Sequence, residues 1–205
     1  MAVRKILTIS KHEKFLTTKS EPVHKINREI KALFQDLRDT IEENPAVGLA
    51  APQIGVSKRV FAVLLGYYDE PETDDESEAE LPPIEPTIMV NPEIVEREGV
   101  ERGFDACLSI PGMMGYTDRD LEIRVKYMDE QGNKQDRTFA GWDARMIQHE
   151  LDHLDGILFT KRLESLDDLY VIAKDADGNR IEIPYPEFVR KTTQQVIGKP
   201  LSTTP

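Results

Sequence analysis

This sequence of 205 residues predicts an α+β protein, with mixed or antiparallel sheets packed around one buried central helix. Three observations carry that prediction. Apolar residues recur at helical spacing in separated stretches. Short alternating runs bounded by turn residues read as strands and hairpins. Strands and helices do not alternate regularly, as a doubly wound sheet would require.

The first helical stretch is set by Ile26, Ile30, Leu33, Phe34, Leu37 and Ile41. It is an amphipathic N-terminal helix of about four turns, ending near Asn44-Pro45 because proline disfavours helical geometry in the residue before it. Residues 60–65 and 87–90 read as strands. In the next strand Leu121, Ile123, Val125 and Tyr127 alternate with Glu122, Arg124 and Lys126. A turn over residues 129–133 returns the chain through residues 137–140 as a hairpin. Residues 170–173, the turn Asp177-Gly178-Asn179 and residues 180–183 form a second hairpin, and residues 186–196 a final helix.

Composition narrows the function classes. The chain holds 39% apolar and 31% charged residues and a net charge of −12, which describes a globular protein with no basic footprint for DNA. No stretch approaches the ~20 apolar residues of a membrane helix. One cysteine cannot form an internal disulfide, and residues 1–11 lack the pattern of a signal peptide, so a cytoplasmic location is expected. Residues 69–86 contain nine acids, four prolines and no base, three quarters of the net charge. Such a segment reads as a solvated insertion in a single catalytic domain spanning residues 1–205.

Residues 141–156, GWDARMIQHELDHLDG, form the most informative helix. Asp143 is placed to cap its start and Gly156 to supply the left-handed residue that stops it. Trp142, Met146, His149, Glu150 and His153 fall with Ile147, Leu151 and Leu154 on a buried arc of about 200°. Ala144, Arg145, Gln148, Asp152 and Asp155 occupy the remaining, solvent-facing arc. Within the buried arc, His149, Glu150 and His153 spell H-E-x-x-H. Histidines at i and i+4 can chelate one metal ion, and the glutamate beside them can take a proton from an attacking water. Two satisfied core histidines would give the same letters, but a buried unpaired Glu150 would then be costly. No histidine follows His153, which leaves the third ligand open. Cys107, in DACLSIPG, is either a small buried hydrophobe or a thiolate completing a soft S/N site.

A third segment, VGLAAPQIG from Val47, contains Gln53. Taken together, AVGLAAPQ from Ala46, DACLS from Asp105 and QHELDH from Gln148 resemble the three motifs of the peptide deformylase family, G-x-G-L-A-A-P-Q, E-G-C-L-S and Q-H-E-x-D-H. The resemblance extends from the first amphipathic helix to about Leu163 and leaves a C-terminal extension outside it. It implies an enzyme that removes the formyl group from the N-terminal formyl-methionine of new polypeptides. It further implies one divalent ion, iron(II) in the cell with zinc, nickel or cobalt as alternatives, held by Cys107, His149 and His153. By motif position Glu150 is the general base, and Gln53 with the backbone N–H of Leu108 stabilises the oxyanion. Val47 and Gly48 pair with the substrate backbone; Met146, with Trp142 beside it, lines the methionine pocket; Asp105 and Ala106 border the substrate.

This chain departs from the motifs at Ala46, Asp105 and Ala106, where the family has glycine, glutamate and glycine. Alanine resists positive φ, and aspartate shortens the carboxylate's reach by one methylene. Residues 186–205 carry three bases and one acid, a weak basis for ribosome association. A metallopeptidase, or a non-catalytic binder of peptide N-termini, would share part of this pattern.

Overall fold

The computed structural model describes residues 3–67, 85–175 and 177–197, so most of the acidic segment 69–86 lies outside the described residues. In chain order the elements are α1 (Ile9–Leu16), α2 (Arg28–Glu42), β1 (Gly48–Ala50), β2 (Val60–Val63), β3 (Thr87–Glu98), β4 (Glu101–Ala106) and β5 (Met113–Arg119). They continue with β6 (Glu122–Met128), β7 (Lys134–Ala140), α3 (Gly141–Leu154), β8 (Leu169–Lys174), β9 (Arg180–Pro184) and α4 (Tyr185–Ile197). Two sheets result, one in the order β1-β2-β3-β6-β7 and one in the order β4-β5-β8-β9. Every ladder between these strands is antiparallel.

The core explains why β2 reads as an unbroken apolar run. Val60 and Ala62 face Leu33, Phe34, Leu37 and Ile41 of α2, while Phe61 and Val63 face Ile147, Leu151 and Leu154 of α3. A strand covered on both faces has no polar face to alternate. The N-terminus of α2 is fixed by Asn27, whose side chain accepts from the Ile30 N–H at 3.0 Å.

Helix α3 is buried on nearly every side, including the arc expected to face solvent. Ala144, Arg145, Gln148 and Asp152 are all buried; only Asp155 at its C-cap is partly open. The polar side chains tolerate this because each is paired. Arg145 donates to the Glu101 carbonyl at 2.7 Å and the Gly103 carbonyl at 3.2 Å. Gln148 donates to the Asp120 carbonyl at 2.8 Å and accepts from its N–H at 3.0 Å. The start of α3 also differs from expectation: Ala140 is the N-cap, and the Asp143 carboxylate accepts instead from the Gly66 N–H at 3.0 Å. Its stop is as expected, with Gly156 at φ +72° and the Thr17 carbonyl oxygen 2.6 Å from where a Cβ would stand.

Strand β3 runs on through Asn91 and Pro92, where the sequence reading ends at residue 90. Its register with β6 shifts between Val90 and Glu93, a bulge that accommodates the proline. Asn91 has φ +49°, and its side chain pairs with both the N–H and the carbonyl of Val23 at 2.8 Å.

Val63 and Thr87 are register partners at the ends of β2 and β3. Replacing residues 69–84 with a short glycine–serine linker is therefore expected to change unfolding free energy by no more than ~1 kcal/mol. Chemical denaturation checks this, and a shortened chain that fails to fold would make the segment structural.

Candidate active site

Helix α3 presents His149 and His153 one turn apart, their ring centroids 5.0 Å from each other and their planes at 72°. Cys107 follows directly on β4, so the second sheet delivers its sulfur to the helix. The Cys107 Sγ lies 3.2 Å from His153 Nε2, and the ligand atoms of Cys107, His149 and His153 all fall within 4.8 Å of one another. One thiolate and two imidazoles at that spacing form a donor set suited to zinc or iron(II).

The electrostatics favour the ligating thiolate at Cys107, paired with a protonated His149 that must lose its proton to bind a metal. Burial alone would raise the Cys107 thiol, but the neighbouring His153 and His149 outweigh it and hold the group well below its ordinary pKa. Burial alone would lower His149; the bond to Asp105 and the Cys107 sulfur push it well above its ordinary value instead. His149 Nδ1 lies 2.9 Å from Asp105 Oδ1, which fixes the ring and leaves its other nitrogen for the site.

Glu150 is buried, and burial pushes its pKa up to about 7, with the two histidines drawing it down and Cys107 raising it. Its Oε2 has no hydrogen-bond partner among the described residues. The carboxylate rests against β1: a Cβ on Gly48 would stand 2.5 Å from Glu150 Oε1. Gln53, in the short 3-10 turn Ala51–Ile54, accepts from the Ala50 N–H at 2.8 Å through Oε1. That bond aims Nε2 toward Ser109 Oγ at 3.4 Å and Cys107 Sγ at 3.5 Å.

These groups share one cleft of about 450 Å³. Val47, Gly48, Gln53, Ala106, Cys107, Leu108, Trp142, Met146, His149 and Glu150 line it, while His153 lies behind the wall, 1% exposed. Asp105 also borders it, but its carboxylate is fully engaged inward. Its Oδ1 bonds His149, and its Oδ2 accepts from Thr117 and, at 2.9 Å, from Arg119 Nε. Its side chain thus holds a histidine rather than meeting substrate, the role sequence reading gave it. The one-methylene deficit against glutamate does not prevent that contact. Burial would raise the Asp105 carboxyl, yet His149, Arg119 and Thr117 keep it well below the usual carboxylate range.

Sequence reasoning missed the support behind this bond. Arg119 Nη1 also donates to Asp152 Oδ2 at 3.0 Å, and Arg162 Nε reaches the same oxygen at 3.2 Å. The second acid of QHELDH therefore anchors the arginine that anchors Asp105. Its place within a motif was the available signal.

The polypeptide deformylase family model matches residues 3–168. The peptide deformylase of Roseiflexus sp. strain RS-1 is 40% identical over 173 residues, 82% of this chain and 93% of that protein. That of Thermus thermophilus is 44% identical over 149 residues, 72% of this chain and 77% of its own. The chain belongs to the peptide deformylase family. It is accordingly a metal-dependent deformylase, releasing the formyl group from N-terminal formyl-methionine. The Met-Ala-Ser-bound crystal structure of the peptide deformylase from Acinetobacter baumannii superposes with a TM-score of 0.67 at 34% identity, covering 79% of this chain and 99% of that one. Helices and antiparallel sheets thus follow the deformylase fold.

The family motif departures are accommodated by the backbone of this deformylase. Ala106 closes β4 in extended geometry, and among the described residues Asn91 alone, outside glycine, has positive φ. Ala106→Gly is therefore expected to raise kcat/KM by no more than about tenfold, because no strain is waiting to be released. Steady-state formate release checks this; a gain of a hundredfold would show that alanine obstructs the substrate path.

Proposed function

We propose that Cys107, His149 and His153 hold one divalent ion, iron(II) in the cell, and that Glu150, Gln53 and Leu108 carry the deformylation of formyl-methionyl peptides around it. The observation that supports this most strongly is the thiolate–imidazole cluster opening on the same cleft as Glu150 and Gln53. When bound, the ion acidifies water and polarises the formyl carbonyl.

The remaining work falls to the chain's own groups. The Glu150 carboxylate takes a proton from the attacking water and returns it to the amine nitrogen as the C–N bond breaks. Gln53 Nε2 and the Leu108 N–H donate to the formyl oxygen as negative charge gathers there. The edge of β1 at Val47 and Gly48 pairs with the extended peptide, as in strand addition. Met146, the apolar side of His149 and Trp142 receive the methionine side chain. Asp105 orients His149, and Ala106 borders the peptide. The reading also takes residues 1–205 as one cytoplasmic catalytic domain with an acidic insertion and a C-terminal extension. Ribosome association would rest on the few bases of that extension.

Metal analysis of anaerobically purified protein, paired with formate release from formyl-Met-Ala-Ser, tests the reading. One ion per chain and metal-dependent formate are expected. A Cys107→Ala protein that keeps its ion would instead favour a metallopeptidase-like site with another third ligand.

A further inference from the structure

Arg145 stands on α3 one turn before His149, outside the three motifs. Its side chain is only 4% exposed and lies against β4. A Cβ on Gly103 would stand 2.7 Å from the Arg145 Cζ and 2.8 Å from both Nε and Nη2. The guanidinium therefore presents its face to that strand, and only glycine fits beneath it. Its amino groups reach two strands at once. Nη2 donates to the Glu101 carbonyl of β4 at 2.7 Å and to the Thr117 carbonyl of β5 at 3.2 Å. Nη1 donates to the Gly103 carbonyl and to the Thr117 hydroxyl, each at 3.2 Å.

A guanidinium only donates, so the Thr117 oxygen accepts from it and its one hydrogen is left for Asp105 Oδ2. Asp105 holds His149 through its other oxygen. The bonds thus run in one direction, from Arg145 through Thr117 to Asp105, and end on a histidine four residues further along the same helix. The carbonyl bonds to β4 act on the other arm of the site, because they fix the strand that ends at Ala106, directly before Cys107.

We infer that Arg145 is a positioning residue for the metal: it sets the Cys107 sulfur against the His149 ring and holds that ring through Thr117 and Asp105. The inference deepens the proposed function and rests on its ligand set of Cys107, His149 and His153. Charge alone does not account for the residue. The Asp105 carboxylate is 3.8 Å from its Nη1 and is already bonded to Arg119. Four acceptors on two strands match a planar fork, which a lysine's single ammonium does not reproduce.

The test loads the full chain and the variants Arg145→Met, Arg145→Lys and Thr117→Val with cobalt(II). Chelator competition gives the affinity, the thiolate-to-cobalt charge-transfer absorption reports the sulfur, and the unfolding midpoint is taken on the same samples. Arg145→Met is expected to weaken cobalt binding by about 10- to 100-fold, the usual cost of losing a group that orients metal ligands, and to alter the absorption. Arg145→Lys, which restores charge without the fork, should stay about fivefold or more weaker than the parent. Thr117→Val should cost about threefold or more, and the double variant should fall short of the product of the two losses, because both break one chain of bonds. A purely structural role would lower the unfolding midpoint and leave the affinity of the folded variants within about twofold of the parent, which would overturn the inference. Full recovery in Arg145→Lys would overturn it too, by assigning the effect to charge. If Arg145→Met does not fold, Thr117→Val, which removes one hydroxyl and keeps the branched shape, decides by the same criterion. A parent that binds cobalt without the thiolate absorption would overturn the ligand set and this inference with it. A parent that shows the absorption, with unaffected variants, would overturn this inference alone.

Discussion

Glu150→Gln is expected to keep the fold and the metal while losing about 10²- to 10⁴-fold in kcat, the range for removal of a general acid–base group. The substitution preserves shape in a place where shape is tightly set, since Glu150 packs against Gly48 with no room for a Cβ between them. It removes only the ability to take and return a proton. Among the described residues the cleft offers no other free carboxylate. Asp105, the other carboxylate at the cleft, is committed to His149, Thr117 and Arg119. The measurement is kcat at saturating formyl-Met-Ala-Ser with metal content determined on the same sample. A variant within tenfold of the parent would assign the proton transfer to another group.

Gln53→Leu is expected to lower kcat by about 10²- to 10³-fold, with a smaller change in KM, because the lost donor acts on charge that develops in the transition state. The geometry makes this donor unusually well set. Oε1 is held by the Ala50 N–H, and the amide is buried, so Nε2 has one direction available beside Cys107. Freeing the Ala50 N–H also costs about 1 kcal/mol of stability, which thermal unfolding reads separately. Equal losses in KM and none in kcat would make Gln53 a binding residue only.

The parts of this protein legible in its sequence are those whose signal is local. The apolar spacing of α2 is readable because each turn of the helix repeats it. The H-E-x-x-H pattern is readable because one helix fixes both histidines. The proposed cysteine ligand, Cys107, is not local: it arrives from the second sheet, and only the family motifs joined it to α3. Strands β4 and β5 escaped for a related reason. Glu101–Ala106 and Met113–Arg119 mix glycine, charge and aromatic residues without clean alternation, because one of their faces carries the buried ion network and the other the exposed Phe104 and Tyr116. The same network inverted the polar arc of α3. Arg145 and Asp152 look like solvent-facing residues until their partners, Thr117, Arg119 and the carbonyls of β4, are brought to them by tertiary folding. A buried charge is unreadable until its counter-charge is found elsewhere in the chain.

X-ray absorption at the edge of the bound ion reads the Cys107–His149–His153 ligand set itself. One sulfur and two imidazole nitrogens from protein are expected in its coordination shell, with the sulfur lost in Cys107→Ser. A metal-loaded, active enzyme whose ion has no sulfur neighbour would contradict it.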